Sequence, residues 1–284
     1  MALDGTPAMT YNYPDMLYVV ATPIGNLEDI SLRAIRTLKE VSLIAAEDTR
    51  KTLILLKKYG IVTRLTSYYE HNKQIKTVQL TSRLIDGDDI AIVSEAGMPG
   101  ISDPGYELIQ AAIEKGINVI PIPGPSAVTT ALVVSGLPVS NFTYIGFLPR
   151  KKAERKKLLA SITDQPQTIV AFEAPHRIQS CLADIKDILG NRRIAICREL
   201  TKLHEEVFRG DVDRAIEHFI EPKGEFTLVI EGKTAAERTI DTRSIREELK
   251  LLKKSGIKAK EAAAKIGKEH GITRNEAYDI WLSL

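Results

Sequence analysis

The chain has 284 residues, which is room for about two compact domains with a core each. Hydrophobic residues make up 44% and charged residues 27% of it, a composition typical of globular proteins that excludes a disordered or fibrous chain. The 39 Lys and Arg residues against 37 Asp and Glu give a formal net charge of +2, so any basic surface that binds nucleic acid must be local.

The two cysteines, Cys181 and Cys197, are too few for a disulfide framework, and the five histidines form no close cluster. No metal site is therefore predicted. Residues 1–15 lack the basic and apolar segments of a secretory signal, and no stretch approaches the roughly 18 apolar residues of a membrane helix. A soluble protein of the reducing cytoplasm is expected.

The first half of the chain alternates short apolar segments with helical patterns. The predicted strands are 17–21, 42–46, 90–94 and 117–122, and the clearest helices are 31–41 and 103–116. Continuous apolar segments are typical of strands in a parallel sheet that is covered on both faces. Each of these segments ends in a polar or glycine-rich loop, and ligands of such sheets bind beyond the strand ends.

A second alternation follows residue 141. It predicts strands at 142–147, 168–172, 193–197 and 226–230, and helices at 151–162, 176–189 and 210–220. The segment 135–140, SGLPVS, has the composition of a short connection between domains. The predicted fold is α/β, with an N-terminal extension (1–15), two α/β domains (16–134 and 141–233) joined by a linker (135–140), and a helical tail (234–284).

The tail predicts two or three short helices. It carries nine basic and three acidic residues between Arg243 and Lys268. Gly271 is predicted to end one helix, and Thr273 with Glu276 three residues later is typical of a capping box that starts the next. Two interpretations stay open: a tail that contacts nucleic acid, or a solvated appendage that packs its apolar residues on the body of the protein. Those apolar residues are Leu251, Ile266, Ile280 and Trp281.

The usual phosphate-binding motifs are missing. No G-x-G-x-x-G follows a strand, and Gly232-Lys233 lacks the earlier glycine of a P-loop because Thr227 stands there. The loops 94–105 and 121–128 are nevertheless rich in Gly, Pro and small residues, which lets the backbone approach a flat ligand such as a nucleoside closely. The alternative for both loops is a plain turn that caps the following helix, at Ser102 or Asp103 in the first and at Ser126 in the second.

Longer strings of residues resemble a known family. They are VVATPIGNLEDISLRAIRTLKEV, AAEDTR, IVSEAGMPGISDPG, IPGPSA, FEAPHR and RELTKLHEE, found in this order between Leu17 and Gly232. Together they resemble the tetrapyrrole methylase superfamily, and within it the family that methylates small-subunit ribosomal RNA. One departure is visible: the family string is more often S-D-A-G-T-P, and here Glu95 and Met98 replace its Asp and Thr.

The resemblance implies 2′-O-methylation of a cytidine ribose in 16S ribosomal RNA, with S-adenosylmethionine bound in a cleft between two α/β domains. It also implies a homodimer. The cofactor contacts of the superfamily carry over onto Ile24, Ser94, Glu95, Ala96, Pro99, Ser126, Ala127, Phe172, Glu173, Leu200, Phe226 and Thr227. Several of these are apolar or small, which suits a pocket for adenine, although Ile24, Phe172 and Leu200 are equally typical of a core.

Ionisable residues are dense in three of these strings. They are Glu47, Asp48 and Arg50, then Glu173, His176 and Arg177, then Arg198, Glu199, Lys202, His204 and Glu205. Clustered ionisable groups at strand ends are candidates for catalysis, while ion pairs that only brace two domains produce the same pattern. Glu199 or His176 is the expected proton acceptor for the ribose hydroxyl.

Contacts with RNA phosphates are expected from basic residues in two places. The segment 149–157, PRKKAERKK, carries six basic residues against Glu154, and Arg150, Lys151, Lys152 and Arg155 are its candidates. Arg50, Arg177 and Lys202 are the others, and for these three the alternative is to orient the neighbouring carboxylates. An ordinary solvated helix start is the alternative for the segment. For the whole protein, the alternatives are methylation of a tetrapyrrole precursor by the same fold and a non-catalytic RNA-binding protein.

Overall fold

A computed structural model of the chain describes residues 16–233, 242–270 and 272–284. The chain divides into two compact units, and the boundary between them follows Gly232. The predicted N-terminal extension (1–15), the start of the predicted tail (234–241) and the predicted helix stop at Gly271 lie outside the described residues.

The first sheet is entirely parallel, as predicted. Its strands are β1 Met16–Val20, β2 Leu43–Ala46, β3 Leu65–Ser67, β4 Ile90–Val93 and β5 Asn118–Ile122. They are hydrogen-bonded in the order β3-β2-β4-β1-β5. The sequence did not predict β3, which has three half-buried residues and therefore lacks the continuous apolar segment of the other strands.

Helices cover both faces of this sheet. They are α1 Leu32–Glu40, α2 Thr49–Lys58, α3 Lys73–Ile85 and α4 Tyr106–Glu114. Leu38 of α1 packs with Leu56 of α2 on one face, and Leu84 of α3 with Leu108 of α4 on the other. Burial on both faces is the reason why the inner strands β1, β2 and β4 are apolar throughout.

The second sheet is mixed. Its strands are β6 Phe142–Phe147, β7 Thr168–Glu173, β8 Arg193–Arg198, β9 Glu206–Asp211 and β10 Phe226–Ile230, and its helices are α6 Lys152–Ser161, α7 Ile178–Leu189 and α8 Val212–His218. The order is β6-β7-β10-β8-β9, with only β6 and β7 parallel. The sequence did not predict β9, whose residues are half-buried or exposed at the sheet edge. Because β10 runs antiparallel to β7 and β8, its first residues lie beside the last residues of both.

One helix links the two sheets. Helix α5, Ala127–Ser135, follows β5 of the first sheet, but its Ala131 and Leu132 pack with Val170 and Val229 of the second. Residues 136–140, which are mostly exposed, then connect α5 to β6 and fall within the linker predicted at 135–140. The chain therefore passes from one sheet to the other through a helix that packs on the second sheet and a short exposed connection.

The second unit consists of three helices with their own core. They are α9 Thr242–Lys254, α10 Ala259–His270 and α11 Arg274–Leu282. Ile245, Ile266 and Trp281 are buried among them, whereas Leu251 is 63% exposed and takes no part in this core. The predicted capping box of Thr273 and Glu276 is confirmed. Within the described ranges, the helices are all too short or too polar to cross a membrane.

Candidate active site

A cavity of about 370 Å³ lies at the carboxyl ends of the first sheet's strands. Ile24 follows β1, Glu47 follows β2, residues 95–98 and 101–103 follow β4, and residues 126–128 follow β5. Ligands of parallel sheets bind beyond the carboxyl ends of the strands, and one wall of the cavity lies at this predicted place.

The second sheet forms the opposite wall. Its contribution comes from β6, from the ends of β7 and β8, and from the start of β10: Tyr144, Phe147, Phe172, Glu173, Ala174, Pro175, Cys197, Leu200, Glu225, Phe226 and Thr227. The antiparallel register sets Phe226 opposite Glu173, and Thr227 opposite both Phe172 and Cys197. Strand ends that are far apart in the sequence therefore meet at one place.

Three aromatic rings give the cavity an apolar side. The ring of Phe172 packs edge-on against those of Tyr144 and Phe147, with centroids 5.3 and 5.4 Å apart. Ile24 and Leu200 add aliphatic surface. Such a surface suits a flat, uncharged ring such as a nucleobase.

The loop after β4 is tied to the loop after β1. The N–H of Thr22 donates to the carbonyl of Gly97 at 2.9 Å, and the N–H of Gly97 donates back at 3.0 Å. Gly97 adopts a φ of +79°, which favours glycine. Ser94 is buried beneath this loop, and its hydroxyl oxygen lies 3.3 Å from the carbonyl oxygens of both Ala96 and Gly97. The glycine-rich string is therefore more than a helix cap: it forms a floor of the cavity.

Carboxylates dominate the charged lining. They are Glu47, Glu95, Asp103, Glu173 and Glu225, and among the described residues no Lys, Arg or His lines the cavity. Three of the five have cationic partners outside the lining. Glu95 pairs with Lys51, Glu173 with Arg177 at 2.5 Å, and Glu225 with Lys202 at 2.8 Å.

Burial shifts the pKa of several of these groups. It raises the pKa of Asp103 to about 6, helped by the charge of nearby Glu47 and opposed by a hydrogen bond from Ser94. Burial also raises the pKa of Glu47. The pKa of the Cys197 thiol rises to about 11 for the same reason, so that thiol stays protonated at neutral pH.

Most residues expected to contact a cofactor line this cavity. Ten of the twelve do so: Ile24, Glu95, Ala96, Ser126, Ala127, Phe172, Glu173, Leu200, Phe226 and Thr227. Ser94 and Pro99 do not, because both are buried behind the loop surface. Ser126 begins α5 as predicted, without a side-chain cap.

The two expected proton acceptors lie outside the cavity lining. The carboxylate of Glu199 accepts hydrogen bonds from the Lys202 ammonium at 3.0 Å and from the N–H of Glu225 at 2.9 Å, which holds the loop after β8 against the start of β10. His176 is exposed in the single 3-10 turn before α7. The density of ionisable residues in the sequence did not distinguish Glu199 and His176 from the residues that line the cavity.

The residues expected to bind RNA fall into two groups. Arg50, Lys151 and Lys152 have side chains 90%, 81% and 71% exposed, and Arg150 is also exposed. Arg177 and Lys202 are instead engaged with cavity carboxylates.

Arg155 requires a correction. It is only 4% exposed and holds the buried Asp184 through two nitrogens, at 2.8 and 2.6 Å. It cannot reach an RNA phosphate, because it lies on the inner face of α6 and neutralises a buried charge.

Sequence reasoning missed several lining residues. Asp103, Tyr144, Phe147, Cys197 and Glu225 line the cavity without having been assigned to it. For Asp103 a signal was available, since it is an acidic residue in the loop that follows a parallel strand. The other four residues are brought to the cavity by the pairing of the strands in the second sheet, which local sequence patterns do not predict.

Comparison with known proteins agrees with this architecture. The family described as Tetrapyrrole (Corrin/Porphyrin) Methylases matches residues 16–216. Among solved structures, the methyltransferase CobJ superposes with a TM-score of 0.60 at 15% identity, over 76% of this chain and 94% of that chain, which indicates a shared fold.

The relatives found by sequence identify a narrower family than the fold does. A protein of Halalkalibacterium halodurans is 48% identical over 271 residues, 93% of this chain and 94% of its own length. One of Thermotoga maritima is 52% identical over 219 residues, 76% of this chain and 98% of its own length. Both are named ribosomal RNA small subunit methyltransferase I. The chain belongs to the tetrapyrrole methylase family, and within it to the ribosomal RNA small subunit methyltransferase I family.

Proposed function

We propose that the protein transfers a methyl group from S-adenosylmethionine to the 2′-hydroxyl of a cytidine ribose in 16S ribosomal RNA. The observation that carries this proposal is the cavity where the strand ends of both sheets meet, in a chain of this family. Its volume falls within the range of small-molecule sites, about 300 to 1,000 Å³.

The lining fits S-adenosylmethionine better than a phosphorylated cofactor. The aromatic and aliphatic side of the cavity suits adenine, and the small Ala96 and Ala127 leave space for it. The carboxylates that line the cavity suit a ligand with a sulfonium and an ammonium group, whereas they would repel phosphates. The ten lining residues predicted from the resemblance are the proposed cofactor contacts, with Ser94 and Pro99 in a supporting role behind them.

When bound, S-adenosylmethionine supplies an electrophilic methyl group. The protein's main contribution is to hold the ribose oxygen in line with that group. Because translational and rotational freedom is then already lost on binding, the activation barrier of the reaction can fall by about 7 to 11 kcal/mol at best. Rigid strand ends are suited to this task. The loop after β1 is joined to the loop after β4 by two backbone hydrogen bonds and to the loop after β8 by a bond from the Asn26 N–H to the Thr201 hydroxyl, which supports such positioning.

For RNA we propose the exposed cations as phosphate contacts. Arg150 and Lys151 lie between β6, which lines the cavity, and α6, and Lys152 is the first residue of α6. Arg50 lies in the first turn of α2, three residues after the lining residue Glu47. Phosphate contacts from such side chains position an RNA strand without reading its bases.

Two further expectations are proposals of the same kind. A homodimer is supported by an exposed apolar surface on α3 and α4, where Ile75, Val78 and Ile113 are 69%, 72% and 61% exposed. A cytoplasmic location is consistent with the two unpaired cysteines, Cys181 and Cys197.

The test is transfer of labelled methyl from S-adenosylmethionine to small ribosomal subunits from cells that lack the gene. A uroporphyrinogen-type acceptor is included in parallel, and the product nucleoside is identified by mass spectrometry. We expect 2′-O-methylcytidine in the RNA and no label in the porphyrin. Label in the porphyrin alone would move the substrate to the tetrapyrroles. Tight binding of S-adenosylmethionine without transfer to either acceptor would indicate a non-catalytic protein.

A further inference from the structure

The acceptor hydroxyl must lose a proton, and few groups in the cavity can take it. Glu95, Glu173 and Glu225 are each engaged in a salt bridge with a cation, so their oxygens already have a charged partner. Glu173 is in addition buried and in contact with the Cys181 thiol. The phenol of Tyr144 and the thiol of Cys197 have raised pKa values and stay protonated. Glu47 and Asp103 remain.

These two carboxylates differ in their contacts. Oε2 of Glu47 accepts the N–H of Glu95 at 3.1 Å, so one of its oxygens is committed to the loop after β4. Asp103 is hydrogen-bonded by Ser94 but forms no salt bridge with any residue of the described ranges, and it lines the cavity beside Ser102, which shares a hydrogen bond with the hydroxyl of Tyr144. The charge of Lys51 acts on Glu47, whereas no cation in the described part of the chain acts on Asp103, so Asp103 is the carboxylate more available as a base.

The surroundings of Asp103 also favour proton uptake. The ionisable groups that interact with it are Glu47, which follows β2, and Tyr144 of β6, and the paired Glu95 and Glu173 line the same cavity. All are acids, and a carboxylate beside other acids in a buried site is a stronger base than one in water. With a pKa of about 6, Asp103 is ionised at neutral pH yet basic enough to accept a proton.

We propose that Asp103 is the general base of the methyl transfer. This inference rests on the function proposed above and adds the residue that removes the proton. The O–H bond of the ribose 2′-hydroxyl breaks and its proton moves to a carboxylate oxygen of Asp103. The oxygen lone pair forms the bond to the methyl carbon, and the electrons of the carbon–sulfur bond remain on sulfur, which becomes a neutral thioether.

The first test is Asp103→Asn, assayed on small ribosomal subunits with saturating S-adenosylmethionine. The amide has nearly the same shape but cannot accept the proton, so kcat should fall by about 10²- to 10⁴-fold. The dissociation constant of S-adenosylmethionine should change by less than about tenfold, since one charge among five is removed. Asp103→Glu, which keeps a carboxylate, should recover part of kcat. Asp86→Asn, an exposed change of the same chemistry at the end of α3, is the matched control.

The second test uses the pH dependence of kcat. The wild-type rate should rise with pH through a pKa near 6, as Asp103 ionises. Burial is the main cause of the raised pKa and the charge of Glu47 adds to it, so Glu47→Gln should move the limb to lower pH, while Asp103→Asn should abolish it. A residue with a purely structural role would not shift the limb.

The third test needs neither substrate nor cofactor. The pKa of Asp103 is raised from 3.8 to about 6 in the folded protein, so its ionisation destabilises the fold increasingly between these two pH values and fully above them. Asp103→Asn should therefore have a higher thermal midpoint than the wild type at pH 8, and this difference should shrink as the pH falls below 6.

A kcat of Asp103→Asn within about threefold of the wild type, or a limb near pH 6 that survives in this variant, would overturn the assignment. Neither result would contradict the proposed function, because methyl transfer by the wild-type protein tests that function separately. If the wild type transfers no methyl group to the RNA, the proposed function fails, and the assignment of Asp103 fails with it.

Discussion

Asn26 and Thr201 are 175 residues apart in the chain, yet the N–H of Asn26 donates to Oγ1 of Thr201 at 3.0 Å. This bond joins the loop after β1 of the first sheet to the loop after β8 of the second. Gly25 makes the approach possible: a Cβ there would lie 2.5 Å from Cγ of Lys202 and 2.9 Å from the carbonyl oxygen of Leu200. Leu200 lines the cavity, so this contact sets the distance between its two walls.

Gly25→Ala should therefore push the two loops apart. We expect a loss of about 1 to 3 kcal/mol in the free energy of unfolding, as for other overpacked sites, together with weaker binding of S-adenosylmethionine. Urea unfolding and calorimetric titration measure the two effects. Thr201→Ser, which keeps the hydroxyl that Asn26 uses, is the control. Wild-type affinity in Gly25→Ala would contradict the view that this contact spaces the walls.

The buried pair of Arg155 and Asp184 should contribute to stability rather than to RNA binding. Both side chains are buried, at 4% and 3% exposure, so removal of Arg155 leaves the buried Asp184 with only the longer salt bridges to Lys152 and Lys156, at 3.9 and 3.7 Å. We expect Arg155→Met to lower the free energy of unfolding by about 3 to 5 kcal/mol. Lys152→Met, whose ammonium is 71% exposed and 3.9 Å from the same carboxylate, should cost less than about 1 kcal/mol. Lower RNA affinity with unchanged stability in Arg155→Met would contradict this assignment.

The exposed cations before α6 should act on RNA affinity alone. The double variant Arg150→Gln, Lys151→Gln should bind RNA less tightly and lower the slope of log affinity against log salt by about 1 to 2, because it loses up to two phosphate contacts. S-adenosylmethionine should bind unchanged. Lys57→Gln, Lys58→Gln removes the same charge at the carboxyl end of α2, away from the strand ends that form the cavity, and should leave the slope unaltered.

The three-helix unit should add RNA affinity without affecting the cofactor site. Its core consists of its own residues, among them Ile245 and Trp281, and the stretch from Arg243 to Lys268 carries nine basic and three acidic residues. Deletion of residues 238–284 should leave S-adenosylmethionine affinity intact but weaken RNA binding and reduce its salt dependence. Filter binding at several salt concentrations tests this; equal RNA affinity at all of them would make the unit a structural appendage.

Local sequence patterns determined most elements of this fold. The strands β1, β2 and β4 were predicted because their buried residues form continuous apolar segments, the edge strand β5 because it is apolar in sequence although only Ile122 is fully buried, and β6 and β10 were predicted with their observed bounds. The missed strands β3 and β9 are short or half-buried, so they lack the hydrophobic signal on which such predictions depend. The resemblance of the strand-end strings to a known family identified ten of the residues that line the cavity.

Only the tertiary structure decided which charged residues face the ligand space. Glu199 and His176 stand in dense motifs yet lie outside the lining, while Asp103 and Glu225 belong to it. The reason is strand pairing: the antiparallel β10 brings Glu225 and Phe226 to the ends of β7 and β8, and neither its direction nor its neighbours follow from local hydrophobicity. Burial likewise depends on packing between distant segments, which is why Arg155 turned inward while its neighbours in the same basic string stayed in solvent.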